Sequence, residues 1–192
     1  VKDIGGDRVT VVGLMGPGVD PHLYKPASGD VVKLQRAKII FYSGLMLEGR
    51  MTDLFFRMAR AGKLVYAVTD SIPDKDRLEP PEFAGHWDPH VWGDPIQWSN
   101  CIVIVVDCLS KADPAGAAGY AKRGQAVVAS YKAMRAWALK RIAAVPGEQR
   151  ILVTSHDAFN YFGQSFGFQV VAVQGLSTVT EAGLADIVKT VD

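Results

Sequence analysis

Between Ala115 and Val145 the 192-residue chain runs without a proline and is rich in alanine, lysine and arginine. Asp113-Pro114 supplies a cap and a first-turn proline before this run, and Pro146-Gly147 supplies a stop after it. The pattern predicts a helix of about 30 residues, about 45 Å long at 1.5 Å per residue, well above the usual helix length. A rod of that length spans between two lobes. The chain accordingly divides into a first lobe over 1–113, a connecting helix over 114–145 and the start of a second lobe over 146–192.

The first lobe reads as alternating strands and helices. Arg8–Leu14 is β-branched and apolar, the mark of a strand buried on both faces. Ser28 or Asp30 can cap a helix running to about Ala37, and Lys38–Ser43 reads as a second strand. Met46–Arg60 carries Met46, Leu47, Met51, Leu54, Phe55 and Met58 as a helical stripe, with the methionines read as core packing. Lys63–Val68 is a third strand, so the lobe is α/β with a parallel sheet. Thr69–Gly85 is a polar loop punctuated by Pro73, Pro80 and Pro81. Pro95, capped by Asp94, opens a helix to about Lys111.

In the second lobe Gln149–Thr154 is a strand, Asp157–Phe166 a helix, Phe168–Val173 a strand, Gln174–Thr180 a loop and Glu181–Val191 a helix. That is too little to cover a parallel sheet on both faces. The second lobe is therefore expected to be incomplete and the chain truncated at its C-terminus, with truncation at the N-terminus also open.

A hydrophobic content of 48% is ample for a core. With 21 Lys+Arg against 20 Asp+Glu, nothing in the charge balance argues for nucleic acid or an anionic membrane surface. The longest apolar run, Ile102–Val106, is core-sized and far short of a membrane span. The N-terminus lacks a leader-peptide layout, as a mature or trimmed chain also would. Cys101 and Cys108 lie seven residues apart in a helical segment, about 10.5 Å. A disulfide needs Cα atoms within about 7 Å, so both are read as small core residues.

Chemistry concentrates at three histidines. Asp20-Pro21-His22 recurs as Asp88-Pro89-His90, and His156 follows the apolar strand in Thr154-Ser155-His156-Asp157. They stand 68 and 66 residues apart, so only tertiary structure can bring them together. Proline stiffens the approach to His22 and His90, as a fixed ligand geometry requires. Ligands of open α/β sheets bind at the carboxyl ends of strands, which places the three on the rim of one interlobe cleft. Neutral imidazoles suit zinc and, with oxygen donors, manganese or iron. Asp20 and Asp88 can either orient the imidazoles or cap local turns; the sequence leaves both open. His86, four residues before His90, is read as a solvated loop residue rather than as a spare ligand, and Trp87, Trp92 and Trp98 as core and cleft wall. Gly13-Leu14-Met15-Gly16-Pro17-Gly18 lacks dinucleotide-loop spacing, and Pro21 and Pro26 crowd the place where its helix would open.

Four ordered stretches resemble one known family. They are Gly16–Pro26, Trp87–Pro95, Thr154–Phe162, and Gly175-Leu176-Ser177-Thr178 followed by Glu181-Ala182-Gly183. Together with the long helix after Pro114 they are similar to the zinc/manganese-type solute-binding proteins of bacterial ABC importers, the TroA-like or cluster A-I group. The resemblance implies a two-lobed α/β receptor, its parallel-sheet lobes joined by one long rigid helix. Such a receptor takes up zinc or manganese as transported ligand between the lobes and delivers it to a membrane permease. It implies a location in the periplasm or on the extracellular face of the cytoplasmic membrane, with His22, His90 and His156 as the first three metal ligands. The family's fourth ligand, an Asp or Glu on a later strand, is expected beyond Asp192. A histidine at 156 looks like members that take zinc, or zinc and manganese. The histidine-rich loop of dedicated zinc importers is missing between Ser71 and Gly85, which leaves the choice of metal open. The alternative is a three-histidine zinc hydrolase or lyase with its fourth position open to water. Asp157 would be its candidate base, although neighbouring side chains usually diverge.

Overall fold

Two strand–helix–strand units carry the architecture, in a computed structural model that describes residues 1–81, 84–175 and 178. In the first, β1 (Ile39–Tyr42) and β2 (Leu64–Ala67) pair in parallel, from Ile39 opposite Leu64 to Tyr42 opposite Ala67. The crossover is α3 (Thr52–Arg60), which buries Phe55 and Met58. With Met51 just ahead of it, this face packs on Ile40 of β1 and on Leu34 of α2 (Ser28–Arg36). The N-cap of α2 is Ala27, and the cap acts from three residues inside: the Asp30 carboxylate accepts the Ala27 amide at 3.0 Å. Asp30 also receives the Tyr24 hydroxyl and the Lys33 ammonium.

The helix expected from Met46 begins six residues later. Leu45 and Met46 are left-handed (φ 51° and 65°), following Gly44 at φ 96°. The buried Glu48 carboxylate holds this turn by accepting the Ser43 and Gly44 amides at 2.7 and 3.2 Å. Close approach demands the glycine, since a Cβ there would lie 2.5 Å from Thr69 Oγ1. Of the predicted stripe, Met46 consequently misses the core and is 60% exposed, while Met51 is fully buried.

Arg8–Leu14 is a second correction. Arg8 closes a 3₁₀ turn (Gly6–Arg8), and Val9 to Gly13 run without strand pairing. Among the described residues β1 pairs with β2 alone. Val11 and Val12 face outward, 46% and 63% exposed. β-branched residues favour a strand only when a partner supplies the ladder; here the segment strings Val9 against one core cluster and Leu14 and Met15 against the other.

Asp94 caps α4 (Pro95–Asn100), accepting the Ile96 and Gln97 amides at 2.7 and 3.4 Å. The helix expected to reach Lys111 is interrupted at Cys101, whose amide tightens onto Trp98 O, and resumes as α5 (Ile102–Ala112). Both cysteines are buried and free, and burial pushes the Cys101 thiol up to about 12. After a 3₁₀ turn (Pro114–Gly116) comes α6 (Ala117–Ile142), 26 residues and about 39 Å long. Its first half packs on α4, α5 and the N-terminal α1 (Lys2–Gly5). There Gly124 admits Val106 to 2.6 Å of where a Cβ would stand, and the Arg123 guanidinium donates to Ile4 O and Gly5 O. Its second half leaves that core, with Met134 and Trp137 exposed.

The second unit is β3 (Ile151–His156), α7 (Asn160–Phe166) and β4 (Gln169–Gln174), again parallel, with His156 opposite Gln174. Gly167, left-handed at φ 72°, ends α7. The expected helix Glu181–Val191 and most of the loop before it lie outside the described residues.

Met51→Ala should lower stability by about 2–5 kcal/mol, whereas Met46→Ala should change it by less than about 0.5 kcal/mol. Urea unfolding of both variants checks the turn; equal losses would restore Met46 to the core.

Candidate metal centre

The two Asp-Pro-His loops fold on themselves in the same way. Asp20 Oδ1 accepts the His22 amide at 2.8 Å, and Asp88 Oδ1 accepts the His90 amide at 2.9 Å. The proline between offers no N–H and a fixed φ, so each carboxylate reaches across it to the histidine amide. His156 is the last residue of β3 and needs no such turn. The expected strand before His22 is missing, and the loop is held instead by its own Asx turn and by Leu14, Met15 and Tyr24 in the core.

These supports bring the three imidazoles together. His22 Nε2 lies 3.1 Å from His90 Nε2, and His156 Nε2 lies 3.2 Å from the same atom. One ligand nitrogen from each ring lies within 4.8 Å of the other two. His22 and His90 are 6% and 2% exposed. His86 is exposed and stands outside the trio. Trp92 meets His90 edge-on at 5.3 Å and Trp98 at 6.4 Å, with Trp98 against the core, so these rings form the wall.

Hydrogen bonds decide where the lone pairs point. His156 Nδ1 is 2.7 Å from the Gly175 carbonyl, which can only accept, so Nδ1 carries the proton and Nε2 the lone pair. Asp88 Oδ1, 2.8 Å from His90 Nδ1, imposes the same tautomer on His90. With Nδ1 of each ring engaged in this way, the two Nε2 atoms face each other at 3.2 Å. A cation among the three nitrogens satisfies all of them at once. Of the two readings open for the aspartates, Asp88 fulfils both, holding turn and ring. Asp20 holds the turn, and its other oxygen accepts the Thr178 hydroxyl at 2.6 Å.

Burial, aided by the neighbouring His90 and His156 rings, pushes the His22 imidazole down to about 4. Burial also lowers His156, against the opposing pull of the Gly175 carbonyl. Asp20 is held below the usual carboxylate range: burial works to raise it, but bonds from Thr178 and the His22 amide outweigh that. The His22 and His156 imidazoles are thus uncharged at neutral pH, the form a metal ion requires.

Sequence reasoning singled out the three histidines but not Asn160, whose side chain donates to Asp88 Oδ2 at 3.1 Å. Nor did it single out the Gly175 carbonyl or Thr178. All three lie inside stretches with a recognisable pattern, yet a polar residue at a helix start or in a loop carries no signal of its partner.

A two-lobed α/β protein with a triad of imidazoles between its halves is what this geometry defines, and the chain belongs to the ZnuA family, zinc-uptake complex component A, periplasmic, whose family model matches residues 1–192. Among relatives, the manganese-binding lipoprotein MntA of Bacillus subtilis (strain 168) is 42% identical over 191 residues, covering 100% of this chain and 62% of its own length. The zinc-binding protein TroA of Treponema pallidum (strain Nichols) is 41% identical over 187 residues, 97% of this chain and 60% of TroA. The solved structure of the periplasmic zinc-binding protein TroA from Treponema pallidum superposes with a TM-score of 0.92 at 40% identity, covering 98% of this chain and 67% of that one. This chain therefore spans about three-fifths of the curated relatives it matches.

An imidazole lowered in the fold is neutral where the unfolded chain would already take a proton. The stability it confers is complete above its ordinary value of 6.5 and is lost as the pH falls through the window down to about 4. The metal-free thermal midpoint should therefore drop across that window in the parent and drop less in His22→Gln. Parallel pH profiles for the two would contradict the assignment.

Proposed function

We propose that the chain captures a divalent transition metal ion, zinc or manganese, through the Nε2 atoms of His22, His90 and His156, and that the whole protein delivers it to the membrane permease of an ABC importer. The observation that carries this is the meeting of three imidazole nitrogens within 4.8 Å, two of them with their protons committed elsewhere. Neutral nitrogen donors suit zinc, and they suit manganese once oxygen donors complete the shell. The ion is cargo, held by side chains and released intact. Family membership supports transport over the three-histidine hydrolase or lyase.

The proposed division is a first lobe over 1–113, the connecting helix over 114–145 and second-lobe sequence from 146 to 192. In this reading the ion sits between lobes: His22 and His90 come from one, His156 from the other. The relatives' names point to both zinc and manganese, and the three histidines serve either. The family description places such proteins in the periplasm, and no described helix is long and apolar enough to cross a membrane.

His90 touches both other rings, so His90→Ala should abolish tight binding. The fold should survive, because Asp88 keeps Asn160 and the residue-90 amide as partners. Chelator-competition titrations with zinc and with manganese, alongside circular dichroism, measure this. Parental affinity in a folded His90→Ala protein would contradict the site.

A further inference from the structure

The two Asp-Pro-His loops share a feature beyond their turns. In each, one carboxylate oxygen holds the histidine amide of its own loop, while the other accepts a hydrogen bond from the far half of the chain. Asp88 Oδ2 receives Asn160, the first residue of α7, at 3.1 Å. Asp20 Oδ2 receives the Thr178 hydroxyl, beyond β4, at 2.6 Å. The donors lie 72 and 158 residues away in sequence, so neither bond is local. We infer that Asn160 and Thr178 are positioning residues: they form a two-point clamp through which closure of the second half onto the first fixes the two metal-binding loops. This inference rests on the proposed metal site.

Three observations make the clamp more than a pair of surface bonds. Asp88 is fully buried, and a buried carboxylate deprived of a partner is costly. Separating α7 from the first half would leave Asp88 Oδ2 without its protein donor. The same contact is built up on both sides: the Leu78 amide donates to the buried Tyr161 hydroxyl at 3.0 Å, and the Leu78 carbonyl accepts the Asp88 amide at 2.8 Å. Gly93, just after His90, lies so near α7 that a Cβ would stand 2.9 Å from Phe162 N. Finally, the oxygen that grips the ligand loop and the oxygen that grips the second half belong to one rigid carboxylate. Displacement of one bond is felt by the other.

The clamp ties retention of the ion to interlobe closure. While both bonds hold, the His22 and His90 loops keep the register that points Nε2 at His156. When the second half loosens from the first, both aspartates lose their outer donor, and the loops relax together with departure of His156. Hydrogen bonds to a carboxylate are among the stronger ones, so loss of either donor should accelerate release on the order of tenfold.

The test uses the full-length protein loaded with zinc, with release timed by stopped-flow mixing with excess chelator. Thr178→Val, which removes only the hydroxyl's bonding, and Asn160→Ala should each release zinc about tenfold faster than the parent. Thr178→Ser should restore the parental rate. Asn160→Asp should release faster than Asn160→Ala, because it sets a second carboxylate against Asp88. In the metal-free protein, hydrogen exchange at the His22 amide should quicken in Thr178→Val, and at the His90 amide in Asn160→Ala; a role confined to general folding would not move these two amides selectively. Parental release rates in both Thr178→Val and Asn160→Ala, with His90→Ala unable to bind, would overturn the clamp alone. Retention of tight binding by His90→Ala would overturn the metal site beneath it.

Discussion

Three imidazole nitrogens meet, two of them on rings whose Nδ1 is already engaged, and the surrounding fold is arranged around this contact. His90 Nδ1–H donates to Asp88 and His156 Nδ1–H donates to the Gly175 carbonyl, and their Nε2 atoms face each other at 3.2 Å. His22 adds a third nitrogen at 3.1 Å. The fold holds this arrangement in a place largely shielded from water. In the proposed reading a divalent cation is what these three nitrogens are placed to hold.

The architecture serves that end through rigidity at different scales. Proline between aspartate and histidine makes each of two loops a short, stiff bracket, and the carboxylate closes it. The parallel pair β3 and β4 fixes His156 at a strand end, where backbone pairing rather than a loop sets its position. At the largest scale α6 leaves the first core after Tyr131 and carries the chain toward β3, touching α7 through Arg135 and Ser165. Ligands from distant parts of the sequence can then meet to within a few tenths of an ångström, the tolerance a coordination shell demands.

Much of this was legible in the sequence because it is written in local terms. The long helix announces itself by the absence of proline between Ala115 and Val145. Asp94-Pro95 is a cap whose partners are the next two amides after the proline, and the structure finds them there. The repeat of Asp-Pro-His marks two equivalent brackets. Where reading failed, the deciding contact left no mark in composition or periodicity. Arg8–Leu14 has the composition of a strand but no neighbouring strand among the described residues, and composition cannot reveal that. Met46 continues an apolar stripe, yet Glu48 folds back on the Ser43 and Gly44 amides and turns the chain first. Asn160 and Thr178 look like any polar residues until the structure sets each against an aspartate 72 or 158 residues away.

The direct test of the account is the X-ray absorption fine structure of the zinc-loaded full-length protein, measured at the metal edge. Three imidazole nitrogens at about 2.0–2.1 Å, with the outer-ring scattering of histidine, are expected, and one of the three should vanish in His156→Ala. A first shell made only of oxygen, or one unchanged by that substitution, would contradict it.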